Sequence, residues 1–282
     1  LIKPIYKNKG DPTLPENYRP ISLLSCLGKL FTCILNNRLN DFANKTNLIK
    51  ETQAGFRKNF STIDNIFILK SLIDIVQTDK KKLFCCFVDF KQAFDSIWRV
   101  GLWQKLSREN INGKCFKVIQ SLYSNIKSKV VTSHGSTAYF ECHKGVRQGE
   151  NLSPFLFSIF FNDLDEYLNN HVNGITSDIL VEEARIYLKL FILLYADDTV
   201  IFSDDETDLQ NVLNRFKTYC ELWKLNINVD KTKLPKTKGK RINGFRFYDI
   251  DGKNYPSNSK GGAHAVRRYE KDGTITTLAD SF

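Results

Sequence analysis

Three aspartates sit where an ionised side chain is expensive. Asp197 and Asp198 stand side by side inside the apolar segment 189–203 (KLFILLYADDTVIFS), and Asp89 interrupts the end of a second apolar run, 83–90 (LFCCFVDF). A carboxylate beside a core is costly unless it is paired or bound to a metal. If the two segments are neighbouring strands, at the usual spacing of roughly 4.8 Å, the three carboxylates converge. They then form a hard, all-oxygen donor set suited to divalent cations. Such a set bridges two Mg²⁺ ions about 3.5–4 Å apart, the arrangement that serves in-line phosphoryl transfer. Each residue taken singly has a plainer reading, since Asp-Asp is a common turn pair and Asp89 a strand end.

The elements that would have to position these groups follow from periodicity and punctuation. Segment 83–90 is too short for a helix and reads as a buried strand, and 189–203 as two apolar strands around a polar turn. Five prolines and glycines in the first twenty residues (Pro4, Gly10, Pro12, Pro15, Pro20) imply an extended, looping start. Apolar spacing predicts a helix over 21–39 and a second from Ser61 or Thr62 to about Val76, both with core-facing stripes. Further helices are expected near 99–108, 114–125, 153–168 and 206–224, the fifth opening on Ser153-Pro154. Segments 128–132 and 137–143 read as a β-hairpin around His134-Gly135-Ser136. Helices segregated around a mainly antiparallel sheet make an α+β domain.

Composition narrows the class. The chain has 282 residues, 42% of them hydrophobic, with a net charge of +10, which is enough for a buried core and excludes a wholly disordered chain. The longest apolar run, 190–196, is far short of the roughly 20 residues of a membrane span. Seven cysteines lack any CxxC or Cys/His zinc spacing and read as reduced, intracellular thiols. The charge is uneven. Residues 1–60 carry ten Lys/Arg against four Asp/Glu, and 231–282 twelve against five, while 61–230 carry nineteen against twenty-two. Basic ends around an acidic centre fit a polyanion-binding surface with a carboxylate site inside it, although from charge alone ordinary solvated lysines are the favoured reading. The absence of methionine, including at position 1, reads as a fragment of a longer reading frame.

Six motifs in order over 1–233 turn these separate readings into one. YADD at 195–198 between apolar strands, with FVDFKQAFD at 87–95 before it, resembles the palm of a reverse transcriptase. GVRQGENLSPFLF at 145–157 is similar to that family's nucleotide-and-template loop and following helix. NYRPISLL at 17–24 and QAGFRK at 53–58 resemble the fingers of LINE-type, non-LTR retrotransposon enzymes, and LNINVDKTK at 225–233 the last palm motif. The resemblance implies right-hand polymerase fingers over 1–80 and a palm over 81–233. It further implies Asp89 and Asp197 as main metal ligands with the Phe90 carbonyl assisting, and Asp198 completing the acidic cluster. Phe94 falls where the family places an aromatic beneath the incoming sugar, excluding a 2′-hydroxyl. Gln148 and Gly149 match the pair that lies against the nascent base pair, and Arg57 and Arg19 the finger cations on the triphosphate. Lys231 occupies the place of a general acid for pyrophosphate.

The implied activity is RNA-directed DNA polymerisation. Its partners would be an RNA template, a DNA primer or nicked target DNA and dNTPs, with two Mg²⁺ (Mn²⁺ as the substitute) and no membrane. A nuclear or cytoplasmic location follows from the resemblance only. The sequence departs from the family in two places. Glu150-Asn151 stands where many relatives have small or apolar residues, which bears on template contact. After Lys233 the resemblance stops and no thumb is recognisable, so 234–282 reads as a divergent basic tail with a short Asp-Gly hairpin near 268–278. The competing expectation is therefore a truncated, catalytically silent remnant that at most binds nucleic acid.

Overall fold

The computed structural model describes residues 1–78, 83–169, 175–181, 184–190, 192–196, 198–203, 205–228 and 232. In chain order the elements are β1 (Ile2–Tyr6), a 3-10 turn (Pro15–Asn17), β2 (Tyr18–Ser22), α1 (Cys26–Thr46), α2 (Thr62–Thr78), β3 (Phe84–Val88), α3 (Ala93–Ser96), α4 (Arg99–Arg108) and α5 (Gly113–Tyr123). The short strands β4 (Lys127–Ser128), β5 (Val131–Thr132), β6 (Gly135–Ser136) and β7 (Phe140–Glu141) follow. The chain continues through α6 (Ser153–Phe161), α7 (Leu164–Asn169), β8 (Ile175–Val181), β9 (Ala184–Leu190), β10 (Ile192–Tyr195), β11 (Asp198–Ser203) and α8 (Glu206–Leu222). They divide into two compact units. The first holds 1–61, 91–165 and 220–226, and the second the remainder. Among the described residues no helix is long and apolar enough to cross a membrane.

The second unit contains the sheet expected from the apolar runs. Its order is β10-β11-β3 with both pairings antiparallel, from Thr199↔Val88 to Ser203↔Phe84 on one side of β11 and from Tyr195↔Asp198 to Ile192↔Ile201 on the other. Leu72 and Val76 of α2 pack with Leu83, Cys85, Leu193 and Phe202, and burial pushes the Cys85 thiol up to about 12. β8 and β9 form a separate antiparallel pair.

In the first unit β1 and β2 pair antiparallel, and α6 packs on α4 and α1. Phe157, Phe160 and Phe161 of α6 are fully buried together with Leu102 and Leu106 of α4 and Ile119 of α5. A helix so apolar around its circumference has to lie inside a core. Lys105 of α4 is buried as well. Its ammonium donates to the Phe160 carbonyl and to Asp163 and lies 3.9 Å from the Trp223 ring centre.

Four expectations need correction. The helix expected over 21–39 starts at Cys26, because Pro20, Ile21 and Ser22 are taken into the β1 pairing; Ser25 caps it by accepting the Gly28 amide at 3.1 Å. Neither early helix is core-facing along its whole stripe: α1 buries Thr32, Leu35, Leu39 and Ala43 while Leu27 is 80% exposed, and Ile63 and Phe67 of α2 are exposed. The helix expected over 153–168 is two. Its break is at Asn162, whose side chain accepts the Lys50 amide and donates to Leu48 O and Glu109 Oε1. The hairpin over 128–143 is an interrupted ladder, β4–β7 outside β5–β6, with the Thr137 hydroxyl accepting the Val130 amide between them. The expected tail 234–282 and its Asp-Gly hairpin lie outside the described residues.

Candidate active site

The carboxylates of the second unit are positioned by strand register. β11 pairs with β3 up to Thr199↔Val88, and Asp198 and Asp89 are the next residues beyond that last pair on the two chains. Two carboxylates are thus brought to the same end of adjacent strands. Asp89 is half-buried and Asp198 exposed, and Ala196, beside the last β10–β11 pair, takes a left-handed backbone with φ 56°. Asp197 and Lys231 lie outside the described residues.

Asp89 is held from a segment that the sequence reading assigned no such task. Asn228 donates its amide to the Asp89 carbonyl at 2.8 Å, and its side-chain nitrogen donates to Asp89 Oδ2 at 2.8 Å. Phe90 bridges to Ile227, and its buried ring lies against Phe216 with centroids 6.0 Å apart. The Thr232 amide in turn donates to the Asn228 carbonyl at 2.7 Å. The only sequence signal for Asn228 was its place in LNINVDKTK. Asp89 and Asp198 offer hard carboxylate oxygens, a donor chemistry that fits Mg²⁺ or Mn²⁺ and not a thiolate-seeking metal.

The first unit carries the remaining candidates. Phe94 lies in α3, entered through Gln92 with φ 48°. Its carbonyl accepts the Val146 amide at 2.8 Å, and the Ile97 carbonyl accepts that of Gly145. Gly145 has φ +83°, and a Cβ there would stand 2.6 Å from the Asp95 carbonyl oxygen, so only glycine lets the 145–149 loop approach α3 this closely. The Gln148 carbonyl accepts the Ser22 amide at 2.7 Å, and Gly149, with φ +98°, packs on the same β2 backbone. Arg19 pairs with Ile5 in β2, and its side chain is exposed. Phe94, Gln148 and Gly149 are therefore brought together through one backbone network, and β2, which carries Arg19, joins it at Ser22.

Arg57 is placed differently from the other cations. Its Nη1 donates to the Lys50 carbonyl at 3.1 Å, and its guanidinium covers the Phe60 ring at 4.0 Å. It braces its own loop while lining a cavity of about 240 Å³ with Phe56, Asn151 and Pro154. Partial burial lowers its pKa from the usual arginine value.

Two charged residues support the 145–149 loop: Arg99, which carries no motif signal in the sequence, and Glu150, which the sequence marks only as a departure bearing on template contact. Arg99 donates to four backbone carbonyls, those of Gly145, Tyr123, Cys142 and Lys144, at 2.7–3.0 Å. Glu150, 2% exposed, accepts from the Tyr123 hydroxyl and from Arg147. The Glu150 side chain thus anchors the loop from inside.

Helices packed around antiparallel sheets are an arrangement consistent with a polymerase fold. Two solved structures share the fold. One is telomerase from Candida albicans in complex with the TWJ fragment of telomeric RNA, at 16% identity and TM-score 0.52 over 74% of this chain and 35% of that one. The other is apo telomerase from Candida tropicalis truncated from its C-terminal domain, at 14% identity and TM-score 0.54 over 80% and 49%. Residues 5–247 match the family described as reverse transcriptase (RNA-dependent DNA polymerase), and the chain belongs to that family. It is 31% identical to a probable RNA-directed DNA polymerase from transposon BS of Drosophila melanogaster over 82% of this chain and 25% of that protein. To the Pol polyprotein of the type-1 retrotransposable element R2 of Popillia japonica it is 27% identical over 79% and 30%. The relatives are proteins of LINE-type, non-LTR transposons, and the chain spans between a quarter and a third of the length of these two.

Proposed function

We propose that this chain is the fingers (1–80) and palm (81–233) of a non-LTR retrotransposon reverse transcriptase, adding dNTPs to a DNA 3′-hydroxyl on an RNA template. The observation that carries the reading is the β3–β11 pairing, which ends on Thr199↔Val88 with Asp198 and Asp89 as the next residues on the two chains. In this reading Asp89, Asp198 and Asp197, assisted by the Phe90 carbonyl, would hold two Mg²⁺. When bound, these ions supply charge neutralisation at the attacking oxygen and at the triphosphate. Asn228 fixes the Asp89 carboxylate, so that the ligand is preorganised and does not have to be ordered during turnover. Phe94 presents its ring to the sugar, Gln148 and Gly149 lie against the nascent pair, and Arg57 and Arg19 neutralise the triphosphate, for which arginine's fork is suited. Lys231 donates the proton to the leaving pyrophosphate. The enzyme's contribution is positioning and electrostatics more than covalent chemistry.

The test is primer extension on an RNA template with Mg²⁺. Asp89→Asn, Asp197→Asn and Asp198→Asn are each expected to lower the rate by at least about 10²-fold, the scale of losing one electrostatic group at the transition state. Undiminished cDNA synthesis by Asp89→Asn and Asp198→Asn would remove the metal-site reading. Phe94→Ala or Phe94→Val should raise rNTP incorporation, and an unchanged rNTP share would remove the sugar-gate reading alone.

A further inference from the structure

Phe56 of the finger loop combines features that packing alone does not account for. It is 45% exposed, and its backbone takes φ 63°. That region disfavours residues with a Cβ by about 1–2 kcal/mol. The loop over-determines this conformation: Gln53 is buried with its Oε1 accepting the Gly55 amide, Ala54 is buried, and Arg57 bonds back to Lys50. What the strained residue reaches is Phe94. The two rings meet edge to face, with centroids 5.8 Å apart at 88°. Phe94 is also stacked on the fully buried Phe157 at 4.7 Å and 14°, and Phe157 continues to Phe161 at 4.8 Å. The half-buried Phe94 ring is therefore located between the buried Phe157 ring of α6 and the exposed Phe56 ring of the finger loop. Backbone strain held in place by its surroundings and spent on a single contact is the pattern of a functional position.

We infer that Phe56 is a positioning residue for sugar selection, setting the Phe94 ring through their edge-to-face contact. The inference rests on the reading of Phe94 as the sugar gate. A gate discriminates by excluding one oxygen atom, so freedom of its ring relaxes the exclusion directly. Because Arg57 is the next residue, the loop that carries a proposed triphosphate cation also carries the brace of the sugar gate. Nucleotide grip and sugar choice then share one element.

The experiment measures the dNTP-over-rNTP ratio of kcat/KM for single-nucleotide extension by the full 282-residue chain on an RNA template. If turnover is slow, the same ratio is taken from dNTP and rNTP stabilisation of the stalled primer–template complex against salt. Phe94→Ala calibrates the gate. Phe56→Ala and Phe56→Leu are expected to lower the ratio by about 2- to 10-fold, the size of one aromatic pair contact, chiefly through better rNTP use. Phe56→Tyr, which keeps the ring edge, should restore it. In a Phe94→Ala background Phe56→Ala should change nothing further. The inference is overturned if Phe94→Ala relaxes selection while both Phe56 variants retain it, or if the Phe56 effect is the same with and without the Phe94 ring. A Phe94→Ala variant that selects as tightly as the parent removes the gate reading and this inference with it. Since Phe56 is exposed, an unchanged melting curve separates these outcomes from misfolding.

Discussion

Asp95 lies one residue beyond the proposed gate and is a partly buried acid. Burial pushes its carboxyl up to about 6, against the opposing pull of Lys7 and Lys144. A carboxyl raised in the folded state binds its proton more tightly there than in the unfolded chain. Between about pH 4 and pH 6 the folded state therefore carries more protons, and stability falls as pH rises through that window and levels off above it. Asp95→Asn removes the charge while keeping the shape. The substitution is expected to stabilise the chain at pH 7 by roughly 1–2 kcal/mol after solvent screening, and to flatten the pH dependence between 4 and 6. Urea midpoints at pH 4, 5, 6 and 7 for both proteins measure this. Identical pH profiles would show that Asp95 is solvated and that its burial costs nothing. The retained cost has a structural setting: the Asp95 carbonyl is the atom against which Gly145 is packed, so the residue stands where α3 and the 145–149 loop are joined.

At the scale of elements, that junction depends on two residues of opposite visibility. Gly145→Ala would set a Cβ 2.6 Å from a backbone oxygen at φ +83°, and is expected to cost about 2–4 kcal/mol in denaturant unfolding, as steric overlap adds to left-handed strain. Arg99→Ala would strip four backbone carbonyls, two buried and two part-buried, of their donor and should cost about 3 kcal/mol, with Arg99→Lys recovering only part because an ammonium cannot reproduce the planar fork. A loss under 1 kcal/mol for Arg99→Ala would mean that water replaces the guanidinium. Gly145 was legible beforehand as part of a motif, whereas Arg99 was not, because one buried cation bonded to distant carbonyls leaves no periodic trace. The same distinction separates what the sequence told about the elements. β3, β10 and β11 were readable because apolar runs between polar turns are local signals. The start of α1 was not, since Pro20–Ser22 join a strand whose partner begins at Ile2; the break at Asn162 depends on Lys50, Leu48 and Glu109, far away in the chain. Of the site, the residues carried by motifs were legible. Asn228's hold on Asp89 and Phe56's contact with Phe94 became visible only in three dimensions.

For the whole molecule the informative quantity is where the charge of +10 sits. Residues 1–60, with ten Lys/Arg against four Asp/Glu, include the NYRPISLL and QAGFRK motifs, while the acidic middle contains Asp89, Asp197 and Asp198. If the proposed function holds, the basic start meets phosphates and the acidic middle repels them unless its carboxylates are neutralised by cations. This makes a quantitative expectation for binding to an RNA–DNA primer–template. Each phosphate contact contributes a slope of about −0.7 to −0.9 to log K against log salt. Lys3, Lys9 and Lys58 are exposed in the first sixty residues, and Lys114 and Lys117 are exposed on α5. Replacing Lys3, Lys9 and Lys58 together with alanine is expected to weaken binding uniformly across template sequences and to reduce the slope by up to about 2–3. Replacing Lys114 and Lys117 removes charge from the acidic middle and should leave the slope unchanged. Titrations between 50 and 200 mM KCl by fluorescence anisotropy decide between these outcomes. Slopes reduced in both variants in proportion to the charges removed, three against two, would mean that binding follows total charge, and the basic start would lose its role as the nucleic-acid face.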